Sequence, residues 1–249
     1  MDLQLIRVTE AESVTTIYLD KLDNGLITMK AIKELTSVLH YLEDESKCKF
    51  VIFRGSRECF GRGLDIKKFY PEKIDYDGFR KWEAVLRTLD KLNKITMAVI
   101  EGECIGAAID LALTCDIRIA AQEATFSHDE VRKGILPGQT VFQLGKFCGL
   151  GKMLELIQTG RVYSAAEAVE MGIINASYDA SKIEGGITGT MEKYASSDMN
   201  IHTLTRRLSK EAYSIIYDNY IGGYLAAQHR VISLPDASGA VDTEDDEII

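Results

Sequence analysis

The chain has 249 residues, 46% hydrophobic and 27% charged, which is ordinary globular usage and enough to bury a core without metals or crosslinks. Acidic residues number 38 against 29 basic ones, a net charge of −9 that argues against a general nucleic-acid binder, whose affinity comes from Lys and Arg neutralising phosphates. No apolar run approaches the roughly 20 residues of a membrane span, and the N-terminus lacks a basic region followed by a long apolar stretch, so a cytoplasmic protein without a membrane partner is expected.

In chain order, Leu3–Val8 and Thr15–Leu19 read as two short strands joined by the polar Thr9–Ser13, a hairpin. Asp23-Asn24-Gly25 makes a turn. From Met29 to Glu43 the apolar Ile32, Leu35, Leu39 and Leu42 recur at helical spacing, and Phe50–Phe53 follows as a buried strand. Asp77–Leu92 carries Phe79, Trp82, Val85, Leu86 and Leu89 on one helix face, before a buried strand at Ile95–Ile100. A small-residue turn, Gly102–Ala108, leads into a helix ending near Cys115, and Ile117–Ala120 and Thr125–Ser127 read as short strands.

Strands and helices alternate across this first half, which makes the chain α/β. Beyond Gly134–Gly138 the pattern is almost entirely helical, through Met153–Thr159, Ser164–Met171, Ile187–Ser196, Asn200–Tyr217 and Tyr220–Leu234. Ser164 with Glu167 three positions on matches a capping box. Residues 235–249, with six acidic side chains and few apolar ones, read as a frayed acidic tail. The division expected is a mixed core over 1–185 and a helical region with its tail over 186–249.

Five cysteines, Cys48, Cys59, Cys104, Cys115 and Cys148, are odd in number and lie in no C-x-x-C pair, so neither a disulfide framework nor a metal site is expected. The first glycine-rich loop, Cys59–Asp65, follows a strand, but a dinucleotide fingerprint would need a third glycine where Ile66 stands. Its glycines suit a sharp turn that aims a backbone N–H, that of Leu64, into a cavity. Gly106-Ala107-Ala108 opens a helix, whose first N–H groups lack internal partners and favour an oxyanion. Taken singly, a plain turn and close helix packing fit these two loops as well. Asp110 and Glu130 are two acids able to divide acid and base work if buried side by side.

Three motifs in fixed order, Phe60–Asp65, Gly102–Asp116 and Ala124–Gly138, with Gly151–Ile174 downstream, together resemble the enoyl-CoA hydratase/isomerase (crotonase) family from about Leu5 to about Ile174. The resemblance implies a spiral of ββα units with a C-terminal helical trimerisation region, and a homotrimer or homohexamer. It puts oxyanion-hole donors on Leu64 and Ala107, with Gly63 and Gly106 lining the substrate site. The two hydratase carboxylates fall on Glu130 and on Asp110, where glutamate is usual. The substrate implied is an acyl thioester of CoA or of a carrier-protein phosphopantetheine, with no separate cofactor.

Four departures bear on this reading. Asp110 is shorter than glutamate by about 1.5 Å, one C–C bond. Arg62 stands where the family usually has a small residue, and could meet a substrate carboxylate or phosphate or pair with an acid. His128 and Asp129 replace the usual glutamine or glycine and proline, and His128 is a candidate for substrate contact or for packing. The acidic tail replaces a basic one. Arg57, Lys67 and Lys68 are candidate phosphate contacts or plain solvated charges.

The reaction expected is hydration of an enoyl thioester or dehydration of a 3-hydroxyacyl thioester. Isomerisation through Glu130 alone, and decarboxylation or C–C hydrolysis, share its enolate step. From another class, a non-catalytic scaffold remains. RNA binding would need a basic helix face, and Met29–Glu43 offers only Lys30 and Lys33 against Glu34 and Glu43.

Overall fold

The computed structural model describes residues 3–214 except 46, 70–75 and 197, together with positions 221, 222, 225, 226 and 229. The acidic tail, and most of the helix expected over 220–234, lie outside the described residues.

β1 (Arg7–Ala11) and β2 (Val14–Tyr18) form the hairpin, with Ala11 opposite Val14, so only Glu12 and Ser13 are left to turn. The first strand therefore starts later than its apolar pattern suggests. The backbone N–H groups of Gln4, Leu5 and Ile6 all donate to Oε2 of buried Glu34, at 3.1, 2.9 and 2.9 Å, which engages donors that a ladder would use. Glu34 belongs to α1 (Met29–Asp44), which Thr28 caps by accepting from Ala31 N–H at 3.2 Å. Such a cap contributes about 1 kcal/mol.

A repeat of two strands and a helix then builds the core. β3 (Phe50–Arg54) and β4 (Cys59–Gly61) are followed by α2 (Ile66–Phe69) and α3 (Tyr76–Lys91). β5 (Ile95–Ile100) and β6 (Glu103–Ile105) are followed by α4 (Ala107–Thr114). β7 (Ile117–Ala121) and β8 (Thr125–Ser127) are followed by α5 (Gln139–Cys148) and α6 (Leu150–Thr159). The chain closes with β9 (Tyr163–Ser164), α7 (Ala165–Glu170), β10 (Ala176–Tyr178), α8 (Ile183–Ala195) and α9 (Met199–Ser214). The capping box of Ser164 and Glu167 is present at the start of α7.

Within each repeat the first strand joins a six-stranded sheet, β1-β2-β3-β5-β7-β10, and the second joins a four-stranded one, β4-β6-β8-β9. Among the described residues all strand pairings are parallel except β1 with β2 and β8 with β9. The chain thus advances as a spiral of ββα turns. β5 and β7 are buried along their whole length because both faces of the larger sheet are covered. Val51, Phe53, Ala98 and Ile100 face the main core with α1, α3 and α4, while Phe50, Ile52, Met97 and Val99 pack a second layer against Ile183 and Ile187 of α8. β8 lies where the sequence reads a short strand, whereas β4, β6, β9 and β10 are too short to carry an alternating pattern and are not announced by the sequence. α5 is likewise unannounced. No helix among the described residues is long and apolar enough to cross a membrane.

Candidate active site

The loop after β4 and the loop after β6 meet at the N-terminus of α4. Ile27 N–H donates to Gly63 C=O at 2.8 Å and Asp65 N–H to Ile27 C=O at 3.0 Å, a one-residue parallel bridge centred on Leu64. Leu64's own N–H therefore points away from Ile27. A Cβ built on Gly63, which sits at φ +88, would lie 3.5 Å from Ala107 N, so the two loops are in contact. Gly106 takes φ 56 and ψ −129 to turn the chain into α4, a conformation that side chains rarely adopt. Ala107 is the first residue of α4, so its N–H has no partner within the helix. Neither the Leu64 nor the Ala107 N–H takes part in a hydrogen bond among the described residues.

A narrow cavity opens at this junction, bordered by Gly63, Leu64, Gly106 and Ala107 and by the carboxylates of Asp110 and Glu130. The centre of a water-sized sphere has about 20 Å³ to move in, room for about one water molecule. Asp110, on the first turn of α4, is 2% exposed, and Glu130, three residues past β8, is 5% exposed. Their surroundings differ sharply. Asp110 Oδ1 accepts from the Thr140 backbone N–H at 2.5 Å and its hydroxyl at 2.6 Å, whereas both Glu130 oxygens are buried without a partner among the described residues. Burial, and then the charge of Asp110, pushes Glu130 up to about 8. Burial also pushes Asp110 up, and the Thr140 donors and nearby Trp82 indole restrain it to about 6. Burial raises both carboxyls, and Glu130, which lacks donors, is raised the further of the two.

Two residues offered by the sequence as substrate contacts point elsewhere. His128 is wholly buried away from the cavity lining, with Nε2 3.0 Å from the Tyr163 hydroxyl. Arg62 Nε lies 2.6 Å from Glu103 Oε2, and an outer guanidinium nitrogen donates to Asn24 C=O at 3.1 Å. The acid opposite β4 claims that cation, so Arg62 does not line the cavity. Arg57 and Lys67 are exposed, and the side chain of Lys68 lies outside the described residues.

The structure also brings in residues that the sequence does not single out. Thr140 arrives on α5 and Trp82 on α3, 30 and 28 positions from Asp110. Asp129 and Lys133, an ion pair at 2.6 Å, line the same cavity. Trp82 is legible only as one apolar residue on a helix face. A Gly-Gln-Thr sequence opening a helix was the available signal for Thr140, since such N–H groups seek an acceptor.

A larger cavity of about 850 Å³ lies between the C-terminal end of α4 and helices α5, α8 and α9. Two of its cations are already engaged: Arg206 with Asp116 at 2.7 Å, and Lys210 with Asp90 at 2.9 Å and Asp116 at 3.2 Å.

Comparison with known proteins matches residues 9–218 to the enoyl-CoA hydratase/isomerase family. A short-chain-enoyl-CoA hydratase of Clostridium acetobutylicum is 32% identical over 206 residues, covering 80% of this chain and 76% of that protein. A probable mitochondrial enoyl-CoA hydratase of Dictyostelium discoideum is 29% identical over 205 residues, covering 80% and 69%. Among solved structures, an enoyl-CoA hydratase of Bacillus anthracis superposes with a TM-score of 0.75 at 27% identity, covering 92% of this chain and 91% of that one. That of Bacillus halodurans shares the fold, with a TM-score of 0.87 at 15% identity over 97% and 100%. The ββα spiral is thus the crotonase fold, and this chain is an enzyme belonging to the enoyl-CoA hydratase/isomerase family.

Proposed function

We propose that the protein adds water to the double bond of a 2-enoyl thioester, and in reverse dehydrates a 3-hydroxyacyl thioester. The observation that carries this reading is the pairing of two buried carboxylates in unlike states beside two unpartnered backbone N–H groups. The thioester oxygen sits between the N–H groups of Leu64 and Ala107, an oxyanion hole worth roughly 3–4 kcal/mol per donor as enolate charge develops. A water in the cavity gives a proton to Asp110 while its oxygen bonds to the β carbon. The C=C electron pair moves to the α carbon through the enolate, and Glu130 delivers its proton there. The result is one added water, a protonated Asp110 and an ionised Glu130, which exchange the proton before the next turnover.

The same oxyanion hole favours a second reading because Asp110 Oδ1 is committed to Thr140. In that reading Glu130 alone moves a proton between the α and γ carbons, and the product is an isomerised double bond. Either way the thioester is carried by CoA or by carrier-protein phosphopantetheine, and the chain needs no resident cofactor. A homotrimer or homohexamer in the cytoplasm belongs to the same reading, supported by an exposed apolar stripe on α9 at Ile201, Leu204 and Leu208.

The test is incubation with enoyl and 3-hydroxyacyl thioesters, on CoA and on carrier protein, in deuterated water with mass-spectrometric readout. Gain or loss of one water is the expected result. Deuterium uptake without it transfers the assignment to isomerisation, and silence across the panel removes both.

A further inference from the structure

Asp110 occupies a position that serves two helices. It stands on the first turn of α4, and its Oδ1 lies against the N-terminus of α5, whose N-cap, Gly138, offers no side-chain acceptor. Thr140, the second residue of α5, donates both its N–H and its hydroxyl to that one oxygen. A second brace runs beside it, since the Thr114 hydroxyl lies 2.7 Å from Asp110 C=O and 3.2 Å from Gln139 Oε1. The carboxylate is therefore held against the end of a helix whose free N–H groups favour negative charge. Glu130, across the cavity, has no donor to either oxygen among the described residues.

We propose that Thr140 is a positioning residue: it ties Oδ1 of Asp110 to α5, leaves Oδ2 alone for the reaction, and makes Asp110 the ionised member of the pair so that Glu130 holds the proton. This rests on the reading of both acids as the reacting pair. Of the other groups around Asp110, only the Trp82 indole also favours its charged form, and by less than Thr140 does. From α3 come Trp82, whose indole N–H has no hydrogen-bond partner among the described residues, and Glu83; from the segment after β8 come Glu130, Asp129 and Lys133. Cys104 on β6 is a buried thiol raised well above its ordinary value by burial. Lys133 is the one cation among the described residues lining the cavity, and it is paired with Asp129.

The consequence has a definite sign. Removing the Thr140 hydroxyl destabilises every state in which Asp110 is charged. The step from the doubly protonated to the singly protonated pair creates that charge, so its apparent pKa rises. The step from singly to doubly ionised starts and ends with Asp110 charged, so its pKa stays in place.

Isotope-edited NMR of the Asp and Glu side-chain carboxyls, in protein without substrate, reads both steps, with Glu130→Gln as the assignment control. Thr140→Val keeps volume and the backbone N–H, and it is expected to raise the lower apparent pKa by about one unit while leaving the upper one unmoved. Thr140→Ser is expected to restore the lower value. An unmoved lower step in the Val protein, or equal shifts in Val and Ser, overturns the assignment. Should the Val protein fail to fold, Thr140→Cys, whose thiol is a weak donor, carries the same comparison. Because this titration needs no turnover, failure of the thioester assay with the shift intact sinks the proposed reaction and leaves the positioning role standing.

Discussion

Nε2 of His128 and the hydroxyl of Tyr163 stand 3.0 Å apart, their rings stacked at an interplanar angle of 20°. Nδ1 is buried without a partner among the described residues, and burial pushes His128 down to about 4, so the ring is neutral in the folded protein near pH 7. The unfolded chain takes up that proton near the ordinary histidine value of 6.5. The stability tied to this residue is therefore whole above 6.5 and is lost as the pH falls toward 4. His128→Gln, which does not titrate, is expected to flatten the acid decline in denaturant unfolding midpoints over that window. An unchanged decline would assign the acid sensitivity to another group.

Glu130 gives the opposite slope. Its carboxyl ionises near 4.5 when unfolded and near 8 when folded, so its penalty is absent below 4.5 and grows as the pH rises toward 8. Glu130→Gln keeps the shape and removes the charge. It is expected to raise stability progressively across that window and to lower turnover about 100- to 10,000-fold, with little change in thioester affinity. Full turnover in the Gln protein would show that another group carries the proton.

Gly106 touches the same carboxyl. A Cβ there would lie 3.3 Å from Glu130 Oε1 and 3.2 Å from Asp129 Oδ1, on a backbone at φ +56. Gly106→Ala is expected to cost about 1–3 kcal/mol of stability and to reduce turnover at least about tenfold, through strain and displacement of Glu130. Steady-state kinetics together with thermal unfolding check both effects; wild-type values for each would mean that the loop relaxes freely.

Glu34 tests a structural claim away from the site. One of its oxygens collects three backbone N–H groups from residues 4–6. Glu34→Ala is expected to cost about 2–4 kcal/mol and to speed hydrogen exchange at those three amides, with exchange in the core strands β5 and β7 changing only through the global stability loss. Protection unchanged at Gln4, Leu5 and Ile6 would exclude the carboxylate as their anchor.

Much was decided by residue order alone. Helices α1 and α3 follow from apolar residues recurring at helical spacing, and strands β3, β5 and β7 from short, nearly continuous apolar runs whose length suits a buried strand. Chain order also supplied Glu130, Asp110 and the two small-residue loops. What it did not supply were contacts between residues distant along the chain. Arg62 became a partner of Glu103 only when β4 and β6 paired, and His128 turned to Tyr163 only when β9 closed on β8. Thr140 reached Asp110 because α5 packs its N-terminus against α4, and Glu34 drew Gln4–Ile6 out of the ladder that their side chains suggest. Identity and spacing determine which groups are available. Which oxygen is hydrogen-bonded and which stays bare is set by donors brought together through folding, and in a buried pair that difference decides where the proton resides.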